Sequence, residues 1–540
     1  MRKRRFITFG LVLLSSIGLL STAESAVIEV SNVVKLFEAL DPATVKSGDE
    51  IKVSVGKYFL DAELAIPAGV TVIGGFKDGF ADENRIYPGS ATEIAQMTVF
   101  DGNSVVLTKP SDKHRVATVA GILDGVLVRN GHVRNGHGGG VYIASTGTVQ
   151  NCIIKGNVAM CVPSGGGKIT PDNAAQGGGV YIAGGNLYNC VVVYNMSNQG
   201  HGVAGTVGKM INNTITANTS APVPILIEGG IFHHYRSHGY PDFDPGELTM
   251  STFYLAQTEV TTSQYAIFAN AVDLSHEDEN VTFAPGYLLG AGLKKNGAPS
   301  DDIPDLVDPG PACQGSVDKV PAGSTVGVRY NFTSDKVLFE IQNDPFYPNG
   351  LRKVGSDYVY NKSFISGDVN LHLNNESMNF VTWTGSLAFS LWIGGSLPTE
   401  AQWEFAARRT TDGTGAAACN TYMYAGSNDL DAIAWCEDNG DPREAIHEVA
   451  TKAPNAIGLY DMNGNVWEWC ADWYNGSSNY PAYGGSNSSI DPVWNTAASA
   501  SPRIIRGGGW YDSYWSLATR FGYSPTTMFN HLGFRPVLVP

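Results

Sequence analysis

The chain has 540 residues, 43% of them hydrophobic and 10% aromatic, which is apolar material for roughly two to four domains. Only 16% of residues are charged and mean hydropathy is −0.08, which excludes wholesale disorder. The formal charge of −16 excludes a nucleic-acid partner, because phosphate binding needs a basic surface.

The chain opens with "MRKRR", an apolar run "FITFGLVLLSSIGLL" and the small residues "STAESA". A basic start, a short apolar middle and a small-residue end predict a secretory signal over residues 1–23, hence export to the periplasm, cell surface or medium. No later segment is apolar enough to span a bilayer once that signal is removed. The seven cysteines, at 152, 161, 190, 313, 419, 436 and 470, include no CxxC and no dense disulfide spacing.

Residues 24–222 carry a glycine-punctuated β pattern. "GGGVYIASTGTVQNCIIKGN" (Gly138–Asn157) recurs as "GGGVYIAGGNLYNCVVVYN" (Gly177–Asn195). A short β-branched core recurs with a terminal Asn at 130, 157, 195 and 218, which predicts stacked coils with an Asn ladder at one corner. Cys152 and Cys190 fall at equivalent positions and are expected in the core. This half resembles right-handed parallel β-helix proteins of the pectate-lyase-like type. That resemblance admits a polysaccharide-active groove using His132, Arg134 and His137, although no Asp pair recurs; a structural or adhesive stalk is the plainer expectation.

Pro222–Pro224 ends the repeats, and residues 223–540 read differently. In "EVTTSQYAIFANAV" and "SLPTEAQWEFAARR", Thr261 with Gln264 and Thr399 with Gln402 form capping-box patterns that predict helix starts. A third helix is predicted in "WTGSLAFSLWIGG", stopping at Gly394 or Gly395.

Four motifs in this half, "FYLAQTEVTTSQYAIF", "MNFVTWTGSLAFSLWIGGSLPTEAQWEFAARR", "NAIGLYDMNGNVWEWCADWY" and "RIIRGGGW…LGFR", resemble the formylglycine-generating enzyme (sulfatase-modifying factor) family in sequence and order. The resemblance implies an irregular α+β domain related to C-type lectins. Its oxidases bind copper through two cysteines that follow a "GGS" tripeptide, since soft thiolates select Cu(I). Here the tripeptide is "GGG", Gly509 stands at the serine position, and no cysteine follows Cys470. Asp512 and Leu517 lie where sulfur is expected, so neither copper nor an oxidase is expected. The resemblance also implies a structural calcium site at Asp461, Gly464, Val466 and Glu468, a set of hard oxygen donors.

Between "RGGGW" and "LGFR" the chain offers Tyr511, Asp512, Ser513, Tyr514, Trp515, Arg520, Tyr523, Thr526, Thr527 and Phe529 as a candidate ligand face. Tyr, Trp and Ser give large contact area at small entropy cost, which suits a glycan or protein ligand. The bracket resembles the variable proteins of diversity-generating retroelements. Two readings compete: an exported lectin-like or adhesin-like binding protein without catalysis, and an enzyme, either a diverged oxidase acting on sulfatase cysteines or a β-helix polysaccharide enzyme.

Overall fold

The computed structural model describes residues 25–88, 96–102, 113–163, 169–170, 173–206, 208–233, 247–271, 280–283, 336–340, 351–354, 357–360, 375–409, 422–439, 446–474, 491–492, 502–512 and 516–538. The expected signal, Cys313, Cys419 and the candidates Ser513, Tyr514 and Trp515 lie outside the described residues.

The N-terminal part is a stack of short parallel strands gathered into sheets of seven, six, five and four strands. The in-register pairs Val72–Leu123, Leu123–Val149 and Val149–Leu187 build one fully buried column. Each such side chain contributes about 1.5–3 kcal/mol by leaving water. Helix α1 (Val33–Ala39), started by Asn32 accepting the Lys35 N–H, packs Leu36 and Ala39 onto the first coil and caps that end of the core. Cys152 and Cys190 are both buried in the stack, as the repeat predicts.

The Asn ladder differs from the predicted one by a single residue. Asn195 Oδ1 accepts from the N–H and side-chain amide of Asn157, and Asn218 Oδ1 accepts from the same groups of Asn195. Asn130 is not a rung, because Arg129 pairs with Lys155 and so Gly131, not Asn130, lies opposite Asn157. Asn130 takes the left-handed corner (φ 55°) that Gly156, Tyr194 and Ala217 occupy in later coils, and its amide bonds Asp101. Asn195 also donates to Ile154 O and Val193 O, so Asn195→Leu orphans groups on three coils. That substitution is expected to lower stability by about 3 kcal/mol, measured as a drop in the thermal unfolding midpoint.

Strand pairing changes from parallel to antiparallel between the last solenoid strand, Thr219–Ser220, and Pro224–Ile227. Pro224–Ile227, Phe253–Ala256, Val537–Leu538 and Gly395–Ser396 form one four-stranded sheet, and Arg520–Tyr523, Arg503–Arg506, Trp467–Trp473 and Leu532–Gly533 form another. Helices α2 (Thr262–Ala271), α3 (Trp383–Trp392) and α4 (Glu400–Arg408) accompany them. Both predicted capping boxes form: Thr261 and Gln264 exchange hydrogen bonds, as do Thr399 and Gln402.

The two parts share one core. Val158, Met160 and Met196 of the solenoid pack with Tyr265, Phe268, Phe389 and Trp392 of the helices. The carbonyl end of α3 is also capped from the solenoid. Lys113 Nζ donates to Trp392 O (3.1 Å), and Arg134 donates to Ile393 O (2.9 Å) and Gly394 O (2.7 Å). His132 Nδ1 lies 3.3 Å from Trp392 O, and burial, with Lys113 and Arg134 beside it, holds this ring neutral. Gly394 has φ 77°, and a Cβ there would meet Arg134 Nη2 at 2.7 Å, so the helix must end on glycine.

This corrects the groove expected around His132, Arg134 and His137. The first two are spent on α3. His137 stacks on Tyr181 at 4.5 Å and accepts the Gln176 N–H. Among the described residues no helix is long and apolar enough to cross a membrane.

Candidate functional site

Helix α4 builds the support of the closing segment. Its Thr399 cap and its apolar residues Trp403 and Phe405 fix it in the core, leaving Glu400 and Glu404 buried and in need of cations. Arg520 grips Glu400 through both carboxylate oxygens (2.7 and 2.6 Å), and Arg506 bridges Glu400 (3.3 Å) and Glu404 (2.5 Å). Arg506 also donates to Leu517 O, and Arg408 completes Glu404 at 2.8 Å. Arg503 lies between the rings of Trp383 (3.7 Å) and Trp473 (3.5 Å). Strands Arg503–Arg506 and Arg520–Tyr523 are thereby fastened from beneath, with Tyr511 exposed and Asp512 half-buried on the chain between them.

Its outward face is aromatic around one carboxylate. Asp512 Oδ2 accepts from Trp467 Nε1 (2.6 Å) and from Gly509 N–H (3.0 Å). Trp467, His531 and Asp512 converge on Gly509, where a Cβ would lie 3.2, 3.0 and 3.3 Å from them. Trp467 packs edge-on to Phe521 (5.6 Å). On the other side Phe529 stacks on His531 (5.3 Å) and meets Tyr523 edge-on (5.2 Å). Tyr511, Phe521 and Phe529 stay 62%, 42% and 40% exposed, high for rings with so much apolar area to bury. Burial lowers the His531 pKa despite the neighbouring Asp512 carboxylate, so its ring is neutral near pH 7.

The sulfur chemistry is elsewhere. Cys470 is fully buried among Trp403, Ile504 and Leu517, and burial together with the acids Asp472 and Glu400 pushes its thiol well above the ordinary range. Burial also raises Cys436. Neither is a poised thiolate. Leu517 is core, and Asp512 is hydrogen-bonded into its turn.

Residues 212–539 match the family described as the sulfatase-modifying factor enzyme 1-like domain. The chain belongs to that family. It is 30% identical over 177 residues to the formylglycine-generating enzyme of Streptomyces coelicolor, covering 30% of this chain and 52% of the relative. It is 34% identical over 170 residues to that of Thermomonospora curvata, covering 30% and 55%. It is 32% identical over 169 residues to the inactive C-alpha-formylglycine-generating enzyme 2 of Bos taurus, covering 29% and 48%. The chain thus spans about half the length of the curated relatives it matches. Among solved structures, Treponema denticola variable protein 1 aligns with 60% of this chain and 98% of its own at 22% identity, with a TM-score of 0.31. CarF aligns with 59% and 99% at 17% identity, also with a TM-score of 0.31.

In this member of the sulfatase-modifying factor family, the "LGFR" arginine anchors a second buried acid cluster. Arg535 pairs with both oxygens of Glu468 (2.7 Å each) and donates to Tyr460 O and Asp461 O, while Trp403 Nε1 donates to Glu468 at 2.8 Å. Glu259 accepts from Ser377, Asn465 and the Val466 N–H, and it feels Asp461 and Glu468. Three carboxylates therefore share one guanidinium. Asp461 Oδ2 accepts the Ala450 N–H, but its buried Oδ1 has no hydrogen-bond partner. Burial is the main cause that raises the Asp461 pKa to about 6.

The unpartnered buried Asp461 Oδ1 is a hard donor of the kind calcium takes, whereas both Glu468 oxygens are closed by Arg535, so of the two expected carboxylates only Asp461 has an oxygen open to a cation. Among the described residues no group of three or more acidic, His or Cys side chains is placed to hold a metal, and this set would use only two. An acid whose pKa is raised on folding contributes stability that is present below its unfolded pKa near 4 and is lost as pH rises through the folded value. With chelator present, raising pH from about 4 to 7 is therefore expected to cost this domain on the order of 2–3 kcal/mol. Asp461→Asn should flatten that slope in thermal unfolding scans.

The candidate ligand residues divide. Tyr511 and Thr526 are exposed, Phe529 is exposed beside half-buried Tyr523, and Thr527 is half-buried. Arg520 does not share the face, because Glu400 holds its guanidinium inside. Phe521 and His531 were not among the expected residues. Phe521 alternates with Arg520 along one strand, so the burial of Arg520 sends it outward. Trp467 is buried in the core and supports Asp512 from beneath through its indole N–H.

Proposed function

We propose that this is an exported binding protein in which a right-handed parallel β-helix (to about residue 222) carries a C-type-lectin-like sulfatase-modifying-factor domain that binds without catalysis. The observation that carries it is the exposed aromatic set Tyr511, Phe521 and Phe529, held on an arginine-fastened frame where the oxidases place sulfur and serine. Supporting it, Gly509 leaves no hydroxyl at the serine position, and no cysteine follows Cys470. The Bos taurus relative is named an inactive enzyme, which supports a member of this family without turnover. A glycan or protein ligand suits the face, and variation within the bracket, as in retroelement variable proteins, would tune it. Calcium at Asp461, Gly464, Val466 and Glu468 is part of the same proposal, as a structural ion.

The test is a glycan and protein-ligand screen of the full chain beside a variant with Tyr511→Ala, Phe521→Ala and Phe529→Ala. Ligands retained by the parent and lost by the variant support the proposal. A ligand bound equally by both puts binding elsewhere. The second reading, a diverged oxidase, draws on the 30–34% identity to formylglycine-generating enzymes.

A further inference from the structure

The ligand class follows from the chemistry of the closing face, and this inference rests on that face being a binding face. Asp512 is half-buried, and its Oδ2 is spent on Trp467 and Gly509. Its Oδ1 accepts no hydrogen bond from the described residues. Nor does a described cation pair with it: Arg506 and Arg520 are committed to Glu400 and Glu404, and Arg535 to Glu468. His531, the remaining basic group beside it, is held neutral by burial.

The carboxylate therefore keeps one oxygen open beside Trp467 and His531, which in turn contact Phe521 and Phe529. Phe521 and Phe529 are exposed, as is Tyr511 next to Asp512 in the chain. Ring faces carry partial negative charge and attract cations, most strongly where a carboxylate adds to the same field. A neutral sugar would also stack on these rings and donate a hydroxyl to the free Oδ1, whereas a cation adds charge attraction to both the carboxylate and the ring faces. The formal charge of −16 draws basic partners toward the whole surface.

We propose that this face receives an arginine or lysine side chain presented by a protein partner, with Asp512 as its counter-ion and Tyr511, Phe521 and Phe529 as its stacking walls. The exposure of those rings suits a projecting side chain on a protein surface. Asp512 thereby sets specificity, while the rings supply most of the contact area.

The experiment is calorimetric titration of the full chain with the peptide amide Gly-Arg-Gly-Arg-Gly and with its citrulline counterpart, which keeps the shape and loses the charge. The arginine peptide is expected to bind, and the citrulline peptide to bind at least about tenfold more weakly. Asp512→Asn keeps an oxygen for Trp467 and Gly509, and should weaken the arginine peptide by about tenfold. Phe521→Ala should weaken it as well. Asp82→Asn, at an exposed acid of the solenoid, should not.

Equal binding of the two peptides, or equal loss in the Asp82 and Asp512 variants, would overturn the proposal in favour of general charge attraction. A neutral oligosaccharide that binds the parent, fails on Phe521→Ala and survives Asp512→Asn would overturn the cation while keeping the face. No binding by peptides or oligosaccharides would count against both.

Discussion

Arg535→Met lowers the stability of the family domain by about 3–5 kcal/mol, the expected cost of removing one partner from a buried ion pair. Arg535 closes both oxygens of Glu468 and holds the carbonyls of Tyr460 and Asp461, so one substitution strips the tie between the last strands and the acid loop. Among the described residues Glu468 would keep only Trp403 as a side-chain donor and would be left a buried acid without its counter-ion. Pairing the change with Glu468→Leu removes the stranded carboxylate and should recover part of the loss, as replacing whole buried pairs with apolar residues often does. Urea unfolding followed by tryptophan fluorescence reads both variants. A loss below about 1 kcal/mol for the single variant would mean that the pair is not a structural tie.

The junction between solenoid and family domain gives the second large effect. Lys113 and Arg134 place two cations on the carbonyl end of α3, where they satisfy backbone oxygens and oppose the negative end of the helix dipole. Replacing both with methionine keeps much of the volume and removes the donors. Charge-assisted hydrogen bonds of this kind are worth about 1.5–3 kcal/mol each, so a combined loss of about 3–5 kcal/mol is expected. Because each part also keeps an apolar core of its own, the expected outcome is uncoupling rather than global collapse. Calorimetry should show one transition splitting into two, with new proteolysis between Ser220 and Pro224. A single unshifted transition would contradict the clamp.

The two features differ in how far they could be read from sequence. Local chemistry was legible: Thr399 and Gln402 announced α4, and the repeat announced stacked coils with Cys152 and Cys190 inside. The Asn ladder was legible to within one residue. Both columns at that corner accept Asn, one for its tolerance of positive φ and one for its amide, and composition cannot separate them. Pairings across long stretches of chain were not legible. His132 and Arg134 looked like groove residues because their partners, the carbonyls of Trp392, Ile393 and Gly394, lie about 260 positions away. Arg520 looked like a ligand contact for the same reason, its partner Glu400 being 120 positions distant. An arginine in a polar, aromatic run carries no mark of which way it points. Phe521 was missed as the reciprocal of that error, since the two alternate along one strand.

The frame and the face have separate jobs in this account: buried arginines and glutamates conserve shape, and the exposed rings meet the ligand. The central claim is that the frame survives here without the oxidase. It is tested most directly by incubating the purified protein with copper, oxygen and a cysteine-containing sulfatase peptide, then probing for aldehyde. The account predicts no aldehyde above a protein-free control, because the only described cysteines of the domain, Cys436 and Cys470, are buried thiols. Catalytic turnover of the peptide to formylglycine would contradict it.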